Sequence, residues 1–147
     1  MKRNVLIIVF LLIASFSFGQ QDGKSMIPIM TDAEYYIDQI EEEYDQEIVR
    51  IEFDIVVTSS DTYRVLTSDY AYGILAFGDY RISDIDLKVY KDVDGEWTMI
   101  TEDNEADSAA YVSVEPSYTG EYLIEITAYS FEEGYDRGHY GLIIYHP

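Results

Sequence analysis

Residues 120–129 read Gly-Glu-Tyr-Leu-Ile-Glu-Ile-Thr-Ala-Tyr, and this stretch decides the fold. Successive side chains of a strand point to opposite faces, so Tyr122, Ile124, Ile126 and Ala128 form one row and Glu121, Glu125 and Thr127 the other. An apolar row backed by a polar one calls for a core on one side and water on the other, the situation of an antiparallel sheet with one solvated face. The same period of two runs through residues 84–91. There Ile85, Leu87 and Val89 alternate with Asp84, Asp86 and Lys88.

Working outward, short runs of this kind recur at about 48–57, 63–67, 70–77, 96–101, 109–115 and 138–145, separated by turn residues such as Asp94-Gly95, Pro116 and Gly120. About eight short antiparallel strands predict an all-β protein, a sandwich or jelly roll. In the run from Ile48, the residues Val49, Ile51, Phe53, Ile55 and Val57 oppose Arg50, Glu52 and Asp54, which predicts a half-buried strand. Ahead of it, Thr31 followed by Glu34 forms a capping box, and Ala33, Tyr36, Ile37, Ile40 and Tyr44 recur at helical spacing. An N-terminal amphipathic helix over about 32–46 is expected, with Asp38, Glu41, Glu42, Glu43 and Asp45 on its solvated face.

Lys2 and Arg3 precede the unbroken apolar run Val5 to Ala14, and small residues follow at Ser17 and Gly19. This is the pattern of a secretory signal peptide over 1–19, cut before Gln20, with an uncleaved anchor as the alternative. A lipid anchor would need a cysteine, and the chain has none. Residues 20–30, containing Gly23, Ser25 and Pro28, read as a flexible lead, and residues 31–147 as one sandwich domain with its N-terminal helix. Secretion or a periplasmic location in the cell envelope follows.

The formal charge of −20 becomes −22 once Lys2 and Arg3 are removed, a field that repels phosphate backbones and anionic lipid headgroups. Nucleic acid and membrane are therefore not expected as partners of the mature chain. Without cysteines, an exported domain must rely on its core, and 48% apolar and 15% aromatic content supports one.

The second half resembles the bacterial pre-peptidase C-terminal domain, a small secreted jelly-roll module. The likeness rests on Asp84-Ile85-Asp86-Leu87-Lys88-Val89-Tyr90, the turn Asp94-Gly95, Gly120-Glu121-Tyr122-Leu123-Ile124-Glu125-Ile126, and Tyr140-Gly141-Leu142-Ile143-Ile144. It covers roughly half of the mature chain. The resemblance implies a non-catalytic appendage, although no peptidase precedes the module here.

Catalytic signals are weak. The only histidines are His139, read as an outward strand residue, and His146, and no cysteine is available as a nucleophile. The acidic residues offer a sharper argument. A two-residue hairpin turn at Asp94-Gly95 sets Asp103 opposite Asp86 and Glu105 opposite Asp84, whereas a turn at Val93-Asp94 sets Asp103 opposite Asp84. Facing carboxylates repel unless water or a cation screens them, so Asp84, Asp86, Asp103, Asn104 and Glu105 are candidate ligands for calcium, which takes several oxygens.

Fifteen tyrosines accompany a single tryptophan. Tyr90, Tyr111 and Tyr129 are expected to point outward and to form a binding face, because exposed tyrosine offers rigid amphipathic contact area. A protein partner is expected ahead of a polysaccharide, for want of a tryptophan platform. The leading reading is a non-catalytic exported binding or structural module. The alternatives are a small secreted hydrolase using carboxylates, and an inhibitor or chaperone-like partner of another exported protein. A cleft holding two acids is what would favour the hydrolase.

Overall fold

The computed structural model describes residues 25–147, so the expected signal peptide over 1–19 and residues 20–24 of the lead lie outside the described residues. Helix α1 (Ile27–Asp38) runs on into a π-helical turn (Gln39–Glu43). Eight strands follow: β1 (Glu47–Val56), β2 (Ser59–Leu66), β3 (Tyr72–Gly78), β4 (Ile82–Val93), β5 (Glu96–Asp103), β6 (Ala109–Val114), β7 (Gly120–Phe131) and β8 (Gly138–His146).

They form two four-stranded antiparallel sheets, ordered β1-β8-β3-β6 and β2-β7-β4-β5. Only β4 and β5 are sequential neighbours within one sheet. Every other connection crosses between the sheets, which is the winding of a jelly roll. The β4–β5 turn is Asp94-Gly95, whose φ angles of 56° and 89° are both positive, as a type I′ turn requires. Asp92 Oδ1 accepts the Gly95 N–H at 2.7 Å and fixes it.

The inner rows read from the sequence are the core. Ile85, Leu87, Val89, Tyr122, Ile124 and Ile126 are fully buried and meet Ile74, Ala76, Val112, Leu142 and Ile144 of the opposite sheet. Removing such apolar area from water contributes about 25 cal/mol per Å² and is what holds a domain without disulfides together.

The helix starts earlier than its sequence pattern indicates. Met30 and the three residues before it form the first turn, because Pro28 stands where a helix has no use for an N–H. Thr31 therefore caps nothing. It lies inside the helix and donates its hydroxyl back to the Ile27 carbonyl at 3.0 Å. Ile29, Ala33 and Ile40 bury against Phe77 and Ile143 on the outer side of the β1-β8-β3-β6 sheet, a second core with Phe53 and Leu75 at its margin. Gly141 lets the Phe77 ring lie directly over the β8 backbone, where a Cβ would collide with it.

Strand β1 faces the opposite way from a simple half-buried strand. Its apolar row lies on the helix-covered side, yet only Ile48 and Phe53 reach the second core, and Ile51 and Ile55 stay exposed. Glu52 turns inward and binds Arg64 of β2, accepting from Nε at 2.7 Å and from Nη2, with Thr62 Oγ1 at 3.4 Å. Both strands are sheet edges, so this polar contact closes one open side of the sandwich. Burial pushes the Glu52 carboxyl up, but hydrogen bonds from Arg64 and Arg50 and their charges hold it below its ordinary value.

Candidate functional site

The outer side of the β2-β7-β4-β5 sheet carries an aromatic and aliphatic patch. Registration aligns Tyr63, Leu123, Tyr90 and Met99 in one row across all four strands, and the next row holds Val65 opposite Glu121 and Trp97 opposite Asp92. The rings of Tyr63 and Trp97 meet at 5.6 Å, although their strands are the two edges of the sheet. They lean over the middle strands, and Leu123 on that outer side is only 8% exposed. Around it Val65 is 68% exposed, Met99 46% and Trp97 39%, so the patch is open to water.

Acidic groups frame this patch. Glu121 and Asp92 stand within its second row, and Asp61, Glu125 and Glu102 lie in the row beyond, with Lys88 reaching Glu125 at 3.6 Å. Tyr90 directs its hydroxyl to Glu125 Oε1 at 3.4 Å. Burial first, and then the Glu125 charge, raise that phenol above its ordinary value.

The three expected binding tyrosines are not brought together. Tyr90 belongs to the patch. Tyr129 shares the outer side of the same sheet but sits toward the far end of β7, 74% exposed. Tyr111 is on the opposite side of the sandwich, stacked beside Tyr145 with ring centroids 6.4 Å apart. There it lines a groove of about 480 Å³ with Tyr36, Tyr44, Leu75 and Ile40. Desolvation, followed by the neighbouring Tyr111, pushes the Tyr145 hydroxyl well above the usual phenol range.

The acidic hairpin departs from its expected register. The turn is Asp94-Gly95 as read, but a bulge between Val89 and Tyr90 makes Ile100 an extra residue, so Asp103 pairs with Leu87 rather than with Asp86 or Asp84. Asp103 consequently points toward the interior, where Oδ2 accepts the Tyr111 N–H of β6 at 2.8 Å and Oδ1 accepts the Glu105 N–H at 3.1 Å. It ties the second pair of sheet edges, β5 and β6, together. Asn104 and Glu105 follow the strand end, exposed. Asp84 and Asp86 remain neighbours on the outer side of β4: desolvation and then the Asp84 charge raise the Asp86 carboxyl, and Asp84 Oδ1 is buried without a hydrogen-bond partner. Among the described residues, no group of three or more His, Asp or Glu is arranged to hold a metal ion.

A cleft of about 530 Å³ opens between α1 and the β3–β4 turn, with Asp32, Asp79, Asp107 and Glu132 on its walls. Beneath it lies a buried polar cluster. Asp79 Oδ1 accepts the Arg81 backbone N–H at 3.1 Å and Nε at 3.0 Å, and Oδ2 takes Nε at 3.0 Å, Nη2, and the His139 N–H at 3.2 Å. His139 is buried in this cluster rather than turned to solvent. Its Nδ1 accepts from Arg81 Nη2, because a guanidinium has only hydrogens to give. Burial pushes the Asp79 carboxyl up, while the Arg81 hydrogen bonds and charge more than offset this and leave it low. Asp32 at the rim moves the other way, raised by desolvation and by Asp79. The oxygens of Asp79 are thus taken up by Arg81 and the His139 N–H, and the Nδ1 of His139 by Arg81.

Sequence reasoning missed Trp97, Tyr63, Asp79 and Arg81. The alternation of β5 is visible for Trp97, but nothing local joins it to Tyr63. For Asp79 and Arg81, the signal was a pair of opposite charges two residues apart in a tight turn flanked by buried runs.

No family model matches the chain, and no curated protein matches it. The likeness to the pre-peptidase C-terminal domain therefore goes no further than the jelly-roll architecture. Among the described residues, no helix is long and apolar enough to cross a membrane. Similar outlines occur in solved structures. A periplasmic inhibitor of g-type lysozyme from Aeromonas hydrophila, PliG, is 12% identical and covers 67% of this chain and 85% of its own, with a TM-score of 0.43. The Yersinia pseudotuberculosis-derived mitogen is 15% identical over 67% of this chain and 85% of its own, with a TM-score of 0.44. A structure described as CBM4 is 11% identical over 73% and 83%, with a TM-score of 0.37. These are likenesses of fold, and nothing about function passes from them to this chain.

Proposed function

We propose that the chain is an exported, non-catalytic module that binds a protein partner through the outer side of the β2-β7-β4-β5 sheet. The observation that carries this reading is the Tyr63–Trp97 ring contact at 5.6 Å, set in an exposed patch with Val65, Met99 and Tyr90. A contiguous apolar patch rimmed by polar groups is the usual mark of an interaction surface, and tryptophan and tyrosine supply most of the energy at such surfaces. The absence of a tryptophan platform no longer argues against a glycan, since Trp97 stands in the patch. Aliphatic Val65 and Met99 around the rings favour protein instead, and the rim of Asp61, Asp92, Glu102 and Glu121 favours a partner with basic groups at its own rim.

The test compares wild-type protein with Tyr63→Ser, Trp97→Ser double variant as bait in extracts of the producing cell's envelope and medium. The reading requires one basic protein, captured in stoichiometric amount by the wild type and lost by the variant, while the unfolding midpoint holds. Capture of glycan in its place, or of the same protein by both baits, overturns it.

A second reading, the carboxylate-dependent hydrolase, has the acidic cleft in its favour. Asp32 with its raised carboxyl is the residue on which it would rest, and hydrolysis of a panel of glycosides and peptides abolished by Asp32→Asn would support it. Calcium remains a proposal as a stabiliser at Asp84 and Asp86. The unpartnered Asp84 Oδ1 and the raised Asp86 carboxyl support it.

A further inference from the structure

We propose that the groove of about 480 Å³ on the helix-covered side of the β1-β8-β3-β6 sheet binds a neutral sugar residue. Its volume is that of a small-ligand site. The aromatic patch lies on the other sheet, so this site stands or falls independently of the partner-binding reading.

Charge is kept out of the lining. Charged residues make up 26% of the chain and its formal charge is −20, yet among the described residues none that lines the groove is charged. The contrast is sharpest from Gln39 to Gln46, where the π-helical turn leads into β1. Glu41, Glu42, Glu43 and Asp45 are exposed and stay off the groove, while Gln39, Ile40, Tyr44 and Gln46 form its wall. The wide turn and the reversal at Asp45, with a φ of 53°, produce this division. Backbone bonds hold the wall in place: the Gln39 carbonyl accepts the Tyr44 N–H at 3.1 Å, and the Ile40 carbonyl the Gln46 N–H at 3.0 Å. Such π-helical turns recur at functional sites.

The floor is aromatic. Tyr145 of β8 reaches across β3 over Gly73, where any Cβ would collide with the phenol ring. Its ring stands within 17° of parallel to that of Tyr111 on β6, with centroids 6.4 Å apart. Strands β8 and β3 are both paired on either side, so the floor has no free backbone groups and an extended peptide cannot add to the sheet there. Recognition falls to ring faces, phenol hydroxyls and two amides.

That set of groups selects the ligand class. A charged ligand would find no counter-charge, and an aliphatic side chain would leave the amides and phenols unused. A pyranose matches both halves of the lining: its axial C–H bonds form an apolar face that lies against a ring, and its hydroxyls donate and accept around the rim. Glutamine answers such hydroxyls because its amide also does both. Gln46 Nε2 spends one hydrogen on the Tyr44 carbonyl at 3.1 Å, which orients the amide and leaves its oxygen and second hydrogen for a ligand. Among the described residues, nothing engages the Gln39 amide.

Heteronuclear NMR of the nitrogen-labelled protein reads binding at the amides themselves. The probes are maltohexaose, cellohexaose, mannohexaose and xylohexaose, with hexagalacturonate as the charged comparison. At least one neutral probe should shift the Gln39 and Gln46 side-chain signals and the Leu75 and Tyr111 backbone signals saturably, with a dissociation constant of about 1 mM or tighter. Tyr111→Ala and Gln39→Ala should each weaken that binding about tenfold, and the thermal midpoint should hold. Because the Gln39 amide has no bond to lose, Gln39→Ala keeps the test decisive even where Tyr111→Ala unfolds. The Tyr63→Ser, Trp97→Ser double variant should bind as the wild type does. No saturable shift from any neutral probe at about 10 mM, tighter binding of hexagalacturonate, full affinity in Gln39→Ala, or shifts confined to the Tyr63 and Trp97 side would overturn the proposal.

Discussion

Replacing Arg81 with methionine strips the guanidinium from a carboxylate that is 1% exposed. Asp79 would keep two backbone N–H donors, from Arg81 at 3.1 Å and His139 at 3.2 Å, and lose every contact from Nε and Nη2. Removing one member of a buried ion pair leaves an uncompensated charge and costs about 3–5 kcal/mol. For a domain of this size that corresponds to a fall of about 10–20 °C in melting temperature. The pH dependence has a definite sign. In the wild type the folded Asp79 carboxyl lies below its ordinary value, so the pair's contribution is present at neutral pH and lost as pH falls through that low folded value. In the variant, burial still pushes the carboxyl up, opposed only by the two backbone N–H bonds, so it protonates at a higher pH than in the wild type and the deficit against wild type should shrink as pH falls. Urea unfolding at pH 7 and pH 5 measures this. Asp79→Asn in the Arg81→Met background should restore part of the loss, since the buried charge is then gone. A cost under about 1 kcal/mol, or a deficit that grows on acidification, would refute the reasoning.

Three further outcomes follow from the fold. Ile29→Ala should cost about 2–5 kcal/mol in urea unfolding, because Ile29 is fully buried against Phe77 and Ile143; a negligible change would mean the helix is not part of the cooperative unit. Asp103→Ala should cost about 1.5–3 kcal/mol, the worth of a charged acceptor, and amide exchange at Tyr111 should accelerate, since its N–H is the one Asp103 holds. Millimolar calcium should stabilise the wild type by about 1–2 kcal/mol if the site binds near 10⁻⁴ M, and Asp84→Asn should abolish the gain; equal shifts in magnesium or matched sodium chloride would reduce the effect to screening.

The parts of the fold that were legible in the sequence are those governed by local periodicity. Tyr122 to Ala128 and Ile85 to Val89 alternate cleanly because both strands lie in the middle of their sheet, with one face on the core. The Asp94-Gly95 turn was equally plain, as both residues tolerate positive φ. Edge strands obey other rules. Strand β1 repeats the same alternation, yet its apolar side meets only part of a helix, and its polar side meets Arg64 across the open side of the sandwich. The bulge at Ile100 shifted the register by one residue, so Asp103 pairs with Leu87 instead of facing Asp86 and ties two sheet edges together. Pro28 read as the end of a lead when it marked the start of a helix. Trp97 and Tyr63 are joined only by the order of four strands, information that no window of sequence contains.

The most direct test of the proposed binding face places a photo-crosslinking phenylalanine analogue at position 97 in one protein and at position 111 in another. Both are expressed in the producing cell and irradiated. The two positions lie on opposite sides of the sandwich, 49% exposed at Tyr111 and 39% at Trp97, so accessibility alone does not separate them. Crosslinking of one discrete protein from position 97, and not from position 111, is the predicted result. Crosslinking to that protein from position 111 only, or from neither, would contradict it.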